Sequence, residues 1–197
     1  MKLFPQNNIR ISSVFIIFSL FSASLIAAEA TSSVEVKDES FGCVMEMTPV
    51  RGFFVDNLLG DLEKTLEIAN SENGGKYPPG SVVQLVPGEV MVKHDEGFSV
   101  ATNDWEFFEL EVSAESSKIA KRGFVDVVNK FGGNCFGCHV KAEKKWDLVC
   151  ETGHGCDPLP LTKKMLSVIQ KTDPRCKNIS LSDEEKAIAK QLEALLN

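Results

Sequence analysis

Five consecutive residues, Cys135-Phe136-Gly137-Cys138-His139, could carry out chemistry that no other stretch of this chain suggests. They read C-x-x-C-H, the attachment pattern of a c-type haem. Two thiols three residues apart on an incipient helix can reach the two vinyl groups along one porphyrin edge. The adjacent residue then turns an imidazole under the ring to bind iron. In such a site the protein supplies the axial ligand and the surroundings, and the cofactor supplies the electronics. The expectation is one covalent haem c on Cys135 and Cys138, with His139 as proximal iron ligand. Other chemistries use the same residue types. A C-x-x-C pair can be a thioredoxin-like redox site, but no βαβ pattern surrounds this one. With Cys150 and Cys156 it could form a zinc site, which needs reduced thiolates. It could also be an ordinary disulfide pair with His139 incidental.

The amino terminus bears on that choice. Lys2 and Arg10 make a basic start, Ser12 to Ala28 carries no charge, and Ala28-Glu29-Ala30 fits a small-x-small cleavage site. This predicts a signal peptide over residues 1–30, removed to leave a mature start near Thr31. An uncleaved anchor is the alternative, but the apolar run is short for a span. A periplasmic or secreted protein follows, with no membrane attachment after cleavage. In an oxidising compartment cysteines pair. Outside the motif stand Cys43, Cys150, Cys156 and Cys176, which allow three pairings. A small Cys150–Cys156 loop is feasible across Gly153 and Gly155, and Cys43 with Cys176 would then tie the two ends together.

The opposite side of the iron decides between carrying electrons and binding small molecules. Candidates for a second ligand are His154, Met165, Met91, His94 and Lys93. His154 stands in a glycine-flanked loop near Cys156. Met91 and Met165 sit in apolar runs and read as core. His94, beside Asp95 and Glu96, reads as a surface imidazole, and Lys93 as the solvated end of a strand.

The rest of the sequence must position these groups. Hydrophobic residues make up 43% and charged residues 25%, as in an ordinary globular protein. The net charge of -7 and the lack of a Lys/Arg cluster argue against nucleic-acid partners and against docking on an anionic membrane. Apolar spacing predicts a helix over residues 51–70. Residues 81–93 read as two extended pieces broken at Pro87-Gly88, and Trp105 to Ser113 alternates as a half-buried strand. A further strand is expected over 122–129, and helices over 134–149 and 162–171. Ser182 with Glu185 makes a capping box for a last helix, striped by Ile188, Leu192, Leu195 and Leu196. The order suggests α+β. An all-helical class-I cytochrome is the runner-up, disfavoured because its haem motif usually comes early in the mature chain.

Three stretches together resemble the cytochrome P-460 family. Tyr77-Pro78-Pro79-Gly80-Ser81-Val82-Val83 resembles its strand-opening turn, and Trp105-Glu106-Phe107-Phe108 its central aromatic strand. Cys135 to His139, followed by Ala142 and Asp147, resembles its haem segment. The likeness covers about residues 45–150. It implies a mono-haem α+β fold, mainly an antiparallel β-sheet with flanking helices, and a homodimer. It implies a five-coordinate haem with a distal pocket for nitric oxide, hydroxylamine or carbon monoxide. In hydroxylamine-oxidising members a strand lysine is cross-linked to the porphyrin, and Lys93 is the strand-placed candidate here. In relatives of the β-sheet cytochrome c′ type a phenylalanine covers the distal face, a role Phe107 or Phe108 would take by position. The implied organisation is a signal peptide (1–30), a flexible lead-in (31–44), the haem domain (45–150) and a disulfide-tied helical extension (151–197). That extension departs from the family pattern and could bring His154 to the iron.

Three functions follow as expectations. The first is a P-460-type haem protein that binds or oxidises small nitrogen compounds, with enzymatic turnover open. The second is a six-coordinate electron carrier with a redox partner protein. The third is a haem-free, disulfide-stapled binding domain.

Overall fold

Val, Phe and Trp recur through the central strands of the computed structural model, which describes Met1 and residues 33–196. The signal-peptide reading falls on residues outside that range. Six strands form one antiparallel meander in chain order. They are β1 (Thr48–Val50), β2 (Phe53–Asn57), β3 (Ser81–Val86), β4 (Glu89–Lys93), β5 (Trp105–Val112) and β6 (Ser117–Gly123). Four α-helices accompany them: α1 (Leu62–Ala69), α2 (Cys135–His139), α3 (Lys163–Lys171) and α4 (Asp183–Leu196). The α+β expectation holds, with a wholly antiparallel sheet.

Strand alternation divides the sheet into two working faces. Val55, Val83, Met91, Trp105 and Phe107 point to the first, where Leu62, Leu66 and Ala69 of α1 and Cys135 of α2 pack on them. Val82, Val90, Val92, Phe108 and Leu110 point to the second, where Val34, Val36 and Phe41 cover them. The lead-in therefore differs from the flexible segment expected. Its Val34-Glu35-Val36-Lys37 alternation lays two valines on the sheet, and the Val34 N–H donates to the Asp95 carboxylate (3.1 Å).

Three segments depart from the expected elements. Residues 51–70 do not form one helix. Phe53-Phe54-Val55 is aromatic and β-branched, pairs with β1 and β3, and leaves α1 only eight residues. The strand expected over 122–129 runs over Ser117–Gly123 instead, and only Val128 pairs beyond it, with Asn134. The helix expected over 134–149 is broken into α2 and a 3-10 turn at Lys144–Trp146, which ends where Asp147 and Leu148 turn left-handed (φ 48° and 65°). The β3–β4 hairpin turns at Pro87-Gly88 as read, and the Ser182/Glu185 capping box caps α4.

The carboxy-terminal segment is integral to the same compact unit. Two disulfides form, Cys43–Cys176 and Cys150–Cys156. Beside the first lies a buried clamp. Arg175 grips the Asp173 carboxylate with Nε (2.8 Å) and Nη2 (2.7 Å), and reaches Ser117 Oγ and the Pro87 carbonyl. Asp173 also accepts the Val44 N–H (2.9 Å). One ion pair thus joins the amino-terminal segment, the β3–β4 turn and β6. From α3, Gln170 caps the Gly52 and Leu85 carbonyls (both 2.9 Å). No helix among the described residues is long and apolar enough to cross a membrane. The two disulfides are of the kind that persists in an oxidising compartment.

Two stability predictions follow from these contacts. Asp173→Asn strands a buried guanidinium and should cost about 3 kcal/mol or more at pH 7. Burial alone would raise the Asp173 carboxyl, but the bonds from Arg175 and Val44 outweigh it and hold its pKa below the ordinary value. A depressed carboxyl stabilises above its unfolded pKa, roughly 3.9, and loses that contribution as pH falls through the folded value. The gap between wild type and variant in urea melts should therefore begin to narrow below about pH 4; an equal gap at pH 7 and pH 3 would contradict the clamp. Gly74 sits at φ 73°, and a Cβ there would lie 2.0 Å from the Lys145 carbonyl oxygen. Gly74→Ala should lower the melting temperature measurably, whereas Gly97→Ala, with open space around it, should cost less.

Candidate functional site

The motif helix α2 is built by its neighbours rather than by its own five residues. Asn134 is its N-cap, and its Oδ1 accepts the Gly137 N–H (2.7 Å). The Asn134 amide donates back to the carbonyls of Val125 (2.8 Å), Phe124 and Val127, and the Cys135 N–H bonds the Val127 carbonyl (3.1 Å). The loop after β6 is thereby stapled to the helix start. Asn immediately before Cys135 was a readable cap signal.

On α2, Cys135 is buried, Cys138 half-buried, and both remain thiols while the other four cysteines are paired. Burial pushes the Cys135 thiol up to about 12, helped by Glu89 and Glu109. The third motif group is His139. Its Nδ1 lies 2.7 Å from the Leu148 carbonyl oxygen. A carbonyl only accepts, so Nδ1 carries the proton and Nε2 keeps a lone pair free for a metal. Burial lowers the His139 pKa, with the Leu148 carbonyl opposing.

Phe107 stands beside this imidazole, 5.2 Å between ring centres, and also meets Phe136. Phe108 points to the opposite sheet face, against Phe41 and under Arg122. The structure therefore brings Phe107 to the motif and takes Phe108 away from it. Around α2, large apolar side chains stay exposed: Phe124, Phe131, Val140 and, at 69%, Val125. Phe124 touches Phe136 (5.8 Å). Exposed apolar side chains gathered into one patch are a feature of binding surfaces. Two thiols, one ligand-ready imidazole and this surround together could hold a covalently attached metalloporphyrin.

The remaining candidates are placed as follows. Lys93 is not a solvated strand end, being 1% exposed. Its Nζ contacts both Asp147 oxygens (2.7 and 3.0 Å) and the Asn103 carbonyl, and lies over the Trp105 ring. Burial lowers its pKa and Asp147 opposes the shift. His94 is not a surface imidazole. It is buried, bonded to Glu106 (2.8 Å) and stacked on Phe98. Met91 is core, as read, and Met165 is half-buried on α3. His154 is half-buried, stacked on Trp146 (3.8 Å, 3°), with Nδ1 on the Val149 carbonyl (2.8 Å). The indole N–H groups of Trp105 and Trp146 are buried without an acceptor.

A cavity of about 620 Å³ opens where the sheet meets the motif segment, lined by Asn103, Asp104, Asp147, Lys76, Lys144 and Lys145. Its three lysines are matched by three carboxylates, those of Glu96, Asp104 and Asp147. Sequence reasoning missed Asp147 as the partner of Lys93, since nothing local links residues 54 positions apart. It also missed Leu148, which acts only through its backbone. Compared with protein-family models, curated proteins and solved structures, the chain finds no match.

Proposed function

We propose that this chain is an exported mono-haem c-type cytochrome of the P-460 type, carrying one haem c on Cys135 and Cys138 with His139 as proximal iron ligand. The observation that carries the reading is the state of the motif groups. In a chain where four cysteines pair, the two of C-x-x-C-H stay as thiols, and the adjacent His139 commits Nδ1 to Leu148 and keeps Nε2 free. That tautomer is the one an iron ligand needs.

Bound there, an iron porphyrin would supply one-electron chemistry and a coordination position for small molecules. The chain's own residues do the rest. Cys135 and Cys138, on one side of a short helix, hold the group covalently. Leu148 fixes the imidazole plane and makes the ring more electron-rich. Phe107 packs beside His139, and Phe124, Val125, Phe131 and Val140 offer exposed apolar surface beside the motif. Small nitrogen compounds such as nitric oxide or hydroxylamine are the ligand class the family resemblance suggests, and a homodimer the assembly. A second reading, a six-coordinate electron carrier, draws support from His154. Its Nδ1 is pinned to Val149 in the same way, which leaves its Nε2 also free for a metal.

Absorption spectra of the purified protein decide between them. Ferrous protein should be high-spin and shift when nitric oxide is added. A low-spin ferrous spectrum indifferent to nitric oxide would instead establish the electron-carrier reading and make His154→Ala the next variant. Two substitutions test the motif directly. Cys135→Ala should leave one thioether and displace the pyridine haemochrome band; an unmoved band would remove Cys135 from attachment. His139→Ala should change the ferrous spectrum while porphyrin stays attached, and an unchanged spectrum would overturn the proximal assignment.

A further inference from the structure

The segment after α2 contains an unusual piece of backbone. Asp147 and Leu148 both adopt positive φ (48° and 65°), and neither is glycine. Leucine gains nothing locally in this region, and left-handed backbone is unfavourable for any residue with a Cβ. Such a turn persists only when its surroundings over-determine it. Here the restraint is visible. The Asp147 carboxylate takes both contacts from Lys93 Nζ and also accepts the Tyr77 N–H (2.9 Å). Lys93 itself is the last residue of β4, on the same sheet face as Met91 and Phe107.

The turn has two outputs. Its Leu148 carbonyl takes the His139 Nδ1 proton, and the next carbonyl, of Val149, takes that of His154. Two imidazoles are thus oriented by consecutive peptide groups of one restrained turn.

We propose that the Lys93–Asp147 ion pair is the positioning device for His139, holding the left-handed Asp147–Leu148 turn so that the Leu148 carbonyl fixes the imidazole and presents Nε2 to a metal. This rests on the haem reading for its metal, though not for its geometry. Lys93 then acts through Asp147 and the peptide backbone, not through a bond of its own to the porphyrin. Neither residue is a catalytic residue; both are positioning residues.

The pair predicts effects that a merely structural ion pair would not produce. In wild-type holoprotein the Leu148 bond enriches the imidazole and favours ferric iron. Asp147→Asn should loosen the turn, weaken that bond and raise the reduction potential. The expected shift is about tenfold in the ferric-to-ferrous ratio, about 59 mV for a one-electron couple. Asp147→Glu should restore part of the shift. Asp173→Asn, in the clamp beside the Cys43–Cys176 disulfide, is the control; it should destabilise the fold without moving the potential.

A second measurement needs no haem. The chain has three histidines. In Cys135→Ala/Cys138→Ala protein, ring N–H exchange read by nitrogen-15 NMR should show a protected His139 Nδ1 proton. Asp147→Asn should speed its exchange at least tenfold, and Asp173→Asn should not. If Asp147→Asn does not fold, Lys93→Met/Asp147→Leu, which removes both charges together, carries the same two measurements. Unchanged potential and unchanged exchange in the folded pair variant would overturn the proposal. Wild-type protein without attached haem would overturn the haem reading alone, and the exchange experiment would still decide this one.

Discussion

One buried ammonium ties the sheet to the motif. Lys93 Nζ has three protons and three acceptors: two from Asp147 and one from the Asn103 carbonyl. Each acceptor belongs to a turn in which two successive residues other than glycine are left-handed, Asn103-Asp104 on one side and Asp147-Leu148 on the other. Burying a lone ammonium is prohibitive, and burying it against one carboxylate is roughly neutral once desolvation is counted. The pair therefore adds specificity more than stability. It admits one arrangement of two strained turns against the end of β4, and that arrangement sets the carbonyl facing His139.

The two faces of the sheet divide the labour. The second is closed by the chain's own amino-terminal segment, with Arg122 bridging Glu106 on the sheet to the Val36 carbonyl on the strap. The Asp173–Arg175 clamp and the Cys43–Cys176 bridge lock that strap to the carboxy-terminal helices. A bridge spanning 133 residues removes much chain entropy from the unfolded state, with an upper value of about 4–5 kcal/mol in the loop-closure picture. The first face is left for α1 and the motif segment, where the Cys135 thiol is buried, the Cys138 thiol is half-buried and Phe124, Val125, Phe131 and Val140 are exposed. On the proposed reading, this division lets one face be assembled and stapled while the other receives a covalent cofactor.

Much of this was legible in the residues, for identifiable reasons. Pro87-Gly88 between two Val-rich runs has few conformations besides a hairpin, and Ser182 with Glu185 has few besides a helix start. Proximity made Cys150 with Cys156 the natural first pair, and the other disulfide followed. Local signals also misled. The leucines at 58, 59, 62 and 66 are spaced as in a helix and hid the strand Phe53–Asn57, whose β3 partners lie 24 to 30 residues on. The Val34-Glu35-Val36-Lys37 alternation was present but overshadowed by a polar neighbourhood. The Lys93–Asp147 pair and the Leu148 carbonyl were invisible in principle. The first joins residues distant in sequence, and the second is a backbone group with no identity to read. Thus the ligand residue was legible and its orientation was not.

The central claim is that Cys135 and Cys138 exist to bind one haem covalently. The most direct test is the intact mass of the exported protein, made in a host that matures c-type cytochromes and measured after denaturation and disulfide reduction. The account predicts a mass raised by one haem and four alkylatable thiols, those of Cys43, Cys150, Cys156 and Cys176. A protein without added mass and with six alkylatable thiols would contradict it and leave a disulfide-stapled binding domain in its place.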